Sequence, residues 1–153
     1  MSSGRRQRGF TYLCALLLVA VAGAGLAAIS ELWSHARQRE KEAELLWIGN
    51  QFKQAIGLYY QRSPGAMKRY PEKLEDLLED RRFVNTQRYL RRIYTDPMTG
   101  KADWEVIVAP SGGIMGVHSP SRAKPISSVE KAVTYADWRF IYKPPAAPAR
   151  AAS

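Results

Sequence analysis

Two hydrophobic patterns follow one another along the chain, and the first is a continuous apolar segment. Residues 10–29 contain no charged side chain and are rich in Leu, Ala and Val. At about 1.5 Å per residue, a helix of that length spans roughly 30 Å, which is the hydrocarbon thickness of a bilayer. The pattern therefore predicts a membrane-spanning helix and argues against a purely soluble cytoplasmic enzyme.

The second pattern is a stripe of apolar residues at spacings of three or four, within a segment (residues 31–60) that has four basic and four acidic side chains and no proline. This period predicts an amphipathic helix. The stripe comprises Leu45, Ile48, Phe52, Ile56 and Tyr59. Together the two patterns predict one long helix from about residue 10 to residue 60, half in lipid and half amphipathic. A signal anchor joined to an unrelated first helix would show the same periodicity, so both arrangements stay open at this point.

Turn residues then divide the chain into short segments. Residues 63–71 form a predicted loop, and Pro71 suits the first turn of a short helix over residues 71–82. The apolar face of that helix would comprise Leu74, Leu77 and Leu78. The sequence Asp-Pro-Met-Thr-Gly at 96–100 predicts a turn that leads into a sheet.

Three apolar runs predict strands, at residues 104–109, 114–118 and 138–142. The first two are separated by Pro-Ser-Gly-Gly and predict a hairpin. The intervening residues 119–134 lack periodicity and predict a loop, and the Pro/Ala-rich residues 143–153 predict a disordered tail. The predicted fold class is therefore α+β, with a long N-terminal helix packed on a small antiparallel sheet.

Charge and composition narrow the function further. The 153 residues have a formal net charge of +9, and Arg5, Arg6 and Arg8 precede the apolar segment with no acid among them. Such a basic flank favours a cytoplasmic N-terminus and an exported downstream domain. The only cysteine is Cys14, so no intramolecular disulfide forms, and one cysteine with His35 and His118 is too few for a Cys/His zinc site.

The sequence contains no recognisable catalytic motif. His118 is followed by Ser119, but there is no Gly-x-Ser-x-Gly elbow, and the glycines near 112–116 lack the lysine of a phosphate-binding loop. We therefore predict a non-enzymatic protein without a metal or other cofactor. The densest basic cluster comprises Arg81, Arg82, Arg88, Arg91 and Arg92. Because acids lie close by in sequence, we expect local ion pairs or subunit contacts there, and a nucleic-acid partner is disfavoured.

The N-terminus admits three interpretations. An ordinary signal peptide would be cut near Ala20-Val21-Ala22, but the apolar segment continues beyond that point. A twin-arginine signal is only hinted at by Arg5-Arg6. The third interpretation depends on the sequence Arg8-Gly9-Phe10-Thr11 at the start of the apolar segment.

That last arrangement resembles the prepilin signal of type IV pilins and type II secretion pseudopilins. The resemblance implies cleavage by prepilin peptidase between Gly9 and Phe10, N-methylation of Phe10, and retention of the apolar helix. The sequence YPEKLEDLLEDRR at 70–82 and the Asp-Pro turn are similar to segments of G-type pseudopilins. The calcium site of major pseudopilins is not carried over, because only Glu130 and Asp137 supply carboxylates after residue 110.

One position departs from the family pattern. The fifth residue of the mature chain is usually Glu, which is thought to meet the terminal amine of a neighbouring subunit, and here it is Cys14. The resemblance therefore implies a minor rather than a bulk subunit.

The organisation that follows is a basic leader at 1–9, a transmembrane half of the helix at 10–29, a periplasmic pilin-like domain at 30–142 and the tail at 143–153. Expected partners are other pseudopilins or pilins, prepilin peptidase, an inner-membrane assembly platform and the lipid bilayer. The protein would be a single-pass protein of a bacterial inner membrane. A signal-anchored periplasmic binding domain and a DNA-binding minor pilin are the alternatives.

Overall fold

The computed structural model describes residues 6–127 and 132–145, and it describes side chains for 10–23, 33–127 and 132–145. Helix α1 is followed by a small antiparallel sheet, and the α+β class is confirmed. The elements are α1 (Arg6–Gln61), β1 (Glu105–Val108), β2 (Ile114–His118) and β3 (Phe140–Ile141), with two short 3₁₀ helices at Leu74–Leu77 and Tyr135–Asp137. Internal contacts divide the chain into two compact units, residues 1–39 and residues 40–153.

The predicted apolar stripe is the buried face of α1 in the second unit. Every member of the stripe is at most 6% exposed. Aromatic and aliphatic residues of the later chain complete the core against it. These are mainly Leu77, Leu90, Trp104, Val117, Tyr135, Trp138 and Phe140. The stripe prediction is therefore confirmed, because residues three or four apart share one side of a helix and can pack on a single sheet.

The sheet has the order β1-β2-β3, with both pairs antiparallel. The predicted hairpin is confirmed, since Val106 pairs with Val117 and the strands are joined through residues 109–113. Gly112 and Gly113 close the hairpin with φ of 86° and 80°, a conformation that side chains with a Cβ rarely adopt. The third strand, β3, joins the sheet beside β2 through the pair Val117 and Phe140.

Helix and sheet approach closely at one glycine. A Cβ built on Gly49 would collide with the ring of Phe140 in β3. Glycine in a helix interior costs about 1 kcal/mol relative to alanine, so an uninterrupted helix would favour another residue at this position. The Phe140 ring occupies the space that a side chain at 49 would need, which explains the glycine by packing.

Two expectations need correction. The helix predicted for residues 71–82 is only one 3₁₀ turn, Leu74–Leu77, because the Asp76 carboxylate accepts hydrogen bonds of 3.0 Å from the backbone N–H groups of Glu72 and Lys73 and closes a local turn. The third strand is shorter than predicted and is preceded by the 3₁₀ turn at Tyr135–Asp137. Of the predicted leader and tail, residues 1–5 and 146–153 lie outside the described residues.

Candidate functional site

The most unusual surface of the chain is the first part of α1. Every residue from 10 to 23 is exposed, and large apolar side chains such as Phe10, Leu18 and Val19 are 70–73% exposed. Because successive residues of an α-helix point about 100° apart, this apolar surface runs round the whole helix and leaves no polar face. A helix that is apolar on all sides is normally buried, either in a larger core or in a membrane. Within the residues that the structure describes, no helix reaches the length and apolarity that crossing a membrane requires.

The residues of the predicted processing signal lie at the start of this surface. Helix α1 begins at Arg6, so the Gly9–Phe10 peptide bond lies near its N-terminal end. Phe10 is 73% exposed. Cys14 carries a free, exposed thiol and borders a shallow depression of about 280 Å³ with Leu17, Leu18 and Val21. The predicted site residues are thus brought together on one helix, while cleavage, methylation and the effect of Cys14 stay predictions.

The basic cluster has a different arrangement, centred on an ion pair between the partly buried Arg82 and the buried Asp80. Arg82 donates from Nη2 to Asp80 Oδ2 over 2.7 Å and from Nε to Asp80 Oδ1 over 2.8 Å. The Asp80 side chain is 1% exposed, and its Oδ2 also accepts from the Tyr89 hydroxyl. Burial raises the pKa of Asp80, but the hydrogen bonds from Arg82 and Tyr89 outweigh it and hold that pKa below its ordinary value.

The same guanidinium also fixes the end of α1. Arg82 Nη1 donates to the Ser63 hydroxyl over 2.8 Å, and Nη2 donates to the carbonyl of Tyr59 over 3.1 Å. Lys68 Nζ donates to the carbonyl of Gln61 over 2.8 Å. The last turn of α1 contains no basic residue of its own, so these two cations from later segments complement the negative end of the helix dipole. No sequence pattern predicts this contact, because nothing local links residue 82 to residue 59.

The other arginines of the basic cluster make exposed contacts or contacts with groups other than carboxylates. Arg81 forms a solvent-exposed pair with Glu79 at 3.3 Å, so the expected local ion pairs are confirmed at Arg81 and Arg82. Arg88 donates instead to the carbonyl of Leu78, and Arg92 lies 5.2 Å above the ring of Tyr94. The cluster is therefore partly a structural clamp and partly an exposed basic surface.

A second buried carboxylate was not anticipated. Glu42 is 2% exposed and accepts hydrogen bonds from the Tyr135 hydroxyl at 2.8 Å, from the Ile126 N–H at 2.6 Å and from the Ser127 N–H at 3.2 Å. Burial raises the pKa of Glu42, but hydrogen bonding lowers it overall, first from the Ser127 side chain and then from the Ile126 N–H and the Tyr135 hydroxyl. The available signal was its position three residues before Leu45, in register with the apolar stripe.

The adjacent His118 and Ser119 do not form a nucleophile and base. His118 ends β2, with Nε2 3.4 Å from Glu105 and Nδ1 3.0 Å from the carbonyl of Ser119. Ser119 is fully buried and its hydroxyl donates to Asp96 over 2.5 Å. This hydroxyl therefore serves the turn at 96–100 and does not face a substrate. Among the described residues, no three His, Cys, Asp or Glu side chains are grouped to hold a metal ion.

Comparison of the chain with protein-family models, with curated proteins and with solved structures gives no match.

Proposed function

We propose that the chain is a non-enzymatic, pseudopilin-like subunit of a type II secretion or type IV pilus filament. Prepilin peptidase would cut between Gly9 and Phe10, and the N-terminal helix would remain as membrane anchor and assembly element. In this proposal residues 10–29 are the membrane half of α1 and residues 30–142 are the periplasmic part. The proposal goes beyond the α+β class, which alone fits many functions.

One observation carries the proposal, namely the exposed apolar surface of residues 10–23 directly after a basic segment that ends in Gly9. Burying apolar surface is worth about 25 cal/mol per Å², so a helix exposed on all sides gains most from lipid or from the helices of other subunits. A signal peptide cut after Ala22 would discard this surface. Cleavage before Phe10 would retain it on the mature protein.

The test is the N-terminus of the mature protein after co-expression with prepilin peptidase. We expect a chain that starts at Phe10 and carries one added methyl group, measured by intact mass and terminal sequencing. Gly9→Val should keep the leader attached, because a β-branched residue blocks access at the cut. Gly4→Val makes the same change within the leader and should be processed normally. An uncleaved wild-type chain, or cleavage after Ala22, would contradict the proposal.

Cys14 predicts dependence on another subunit. Without a carboxylate at this position, the terminal amine of a neighbouring copy stays unpaired in an apolar environment, which is costly. Cys14→Glu should therefore strengthen association between copies by about 1–2 kcal/mol, and Cys14→Gln should not. Crosslinking yield through an introduced Leu18→Cys compares the two variants, since in both of them the introduced cysteine is the only thiol. Efficient filament formation by the wild-type chain alone, unchanged by Cys14→Glu, would refute this prediction.

A further inference from the structure

Two loops lie side by side at the C-terminal end of α1. Residues 63–69 follow the helix directly, and residues 81–86 connect the bridged residues Asp80 and Gln87. Arg82 joins the two loops, because its guanidinium bonds both Asp80 and the Ser63 hydroxyl. We term residues 63–69 and 81–86 together the loop-pair surface.

The loop-pair surface contains a groove and two exposed aliphatic side chains. The groove has a volume of about 330 Å³ and is lined by residues 63–67 with Arg69 and Arg82. Met67 lies at this groove and is 74% exposed, and Val84 in the other loop is fully exposed. Burial of such side chains against a partner is favourable, and methionine adapts readily to differently shaped partners.

The charge of the loop-pair surface is positive. Residues 62–69 include Arg62, Lys68 and Arg69 but no acid. Within the part of the chain that the structure describes, the Arg69 guanidinium forms no ion pair. Arg81 is 84% exposed in its side chain and contacts Glu79 only at the solvent-exposed surface. Arg82 bonds to Asp80 and Ser63 within the protein and so fixes the shape of the groove. Arg69 remains available to bind a carboxylate of a partner.

We propose that the loop-pair surface docks an acidic protein segment in which carboxylates flank an aliphatic side chain. The aliphatic side chain would enter the groove beside Met67, and a carboxylate would bind Arg69, whose planar guanidinium suits bidentate contact. The Arg82 network fixes the loops in advance and so reduces the ordering cost of binding. The groove lining contains no aromatic ring on which a nucleic-acid base could stack, and two separate aliphatic tips are not the continuous apolar face with which a helix lies in a bilayer.

The test uses the full chain in a mild non-ionic detergent and a fluorescent peptide of Asp and Glu around a central leucine. We expect saturable binding in low salt that weakens as salt is added. Arg69→Glu should weaken binding by about tenfold or more, and Met67→Ser by several-fold, equivalent to roughly 1.4 and 1 kcal/mol. Lys101→Glu makes the same charge change beside the turn at 96–100, at a residue that does not line the groove, and should have little effect. Near-ultraviolet circular dichroism checks that each variant keeps its fold.

Each alternative outcome overturns the proposal. Equal binding of a peptide with serine in place of the leucine would show that the groove is not used. If Lys101→Glu and Arg69→Glu weakened peptide binding equally, the net charge of the protein alone would account for the effect. Tighter binding of duplex DNA or phosphatidylglycerol vesicles, insensitive to Met67→Ser, would assign the surface to another class of partner, and self-association blocked by Arg69→Glu would assign it to a second copy. None of these results depends on cleavage at Gly9, so this proposal and the proposed function can fail separately.

Discussion

The two parts of helix α1 share one backbone conformation but have opposite surroundings. From residue 10 to residue 23 every position is exposed, although nearly all are apolar. Between residues 45 and 59 the apolar stripe is buried, and polar residues such as Asn50 and Gln54 cover the other side. The difference teaches that periodicity, not apolarity, decides whether a helix finds its partner within its own chain. A stripe can be covered by one sheet, whereas a helix that is apolar all round needs cover on every side.

The contrast between the two parts of α1 is tested most directly by removing one large side chain from each of them. Phe52 is fully buried and packs against the rings of Trp104 and Tyr94. Phe52→Ala should lower the free energy of unfolding of residues 40–145 by about 3–5 kcal/mol, because it leaves a cavity. Denaturation of the full chain in detergent, followed by the fluorescence of the buried Trp104 and Trp138, measures this effect.

Leu16→Ala is the matched change in the exposed part, where Leu16 is 52% exposed. It should shift the same transition by no more than about 0.5 kcal/mol. If Leu16→Ala destabilised the core as much as Phe52→Ala does, the contrast between the two parts of α1 would be wrong.

Features that depend on local sequence could be predicted, whereas contacts between distant residues could not. The stripe, the hairpin and its Gly-Gly turn follow from local periodicity and turn chemistry, and the structure confirms them. The Arg82 clamp on Tyr59 and the Glu42 contacts with Tyr135 join residues 23 and 93 positions apart. No local pattern encodes such a distant pairing. The helix predicted at 71–82 was wrong because the side chain of Asp76 competes for backbone N–H groups that a helix would leave free.

The same comparison can be sharpened with two glycines of α1. Gly49→Ala adds a methyl group that meets the Phe140 ring, whereas a Cβ at Gly23 meets no atom within 4 Å among the described residues. Alanine gains about 1 kcal/mol in helix propensity, but overpacking costs about 1–3 kcal/mol. We therefore expect Gly49→Ala to destabilise the fold by about 1 kcal/mol, whereas Gly23→Ala should not destabilise it. The midpoints of urea denaturation measure both effects. A stabilised Gly49→Ala variant would mean that the ring is not seated on the helix backbone.

The smallest expected effect is a difference in acid sensitivity between the two parts. Residues 10–23 contain no carboxylate. In the second unit, by contrast, the buried carboxylates of Glu42 and Asp80 accept hydrogen bonds that link distant segments, and the pKa of each is lowered. A carboxylate whose pKa is lower in the folded state contributes stability above its unfolded pKa, and that contribution is lost as the pH falls through the folded pKa. With unfolded pKa values of about 3.9 for Asp and 4.3 for Glu, the free energy of unfolding should be constant near neutral pH and should decline below about pH 4.

Asp80→Asn should flatten this decline and, by weakening the bonds to Arg82, should also modestly lower the denaturation midpoint at pH 7. The exposed Glu75→Gln is the control and should leave the acid limb unchanged. If Asp80→Asn and wild type lost stability in parallel down to pH 2, the ion pair with Arg82 would not be the source of the acid sensitivity.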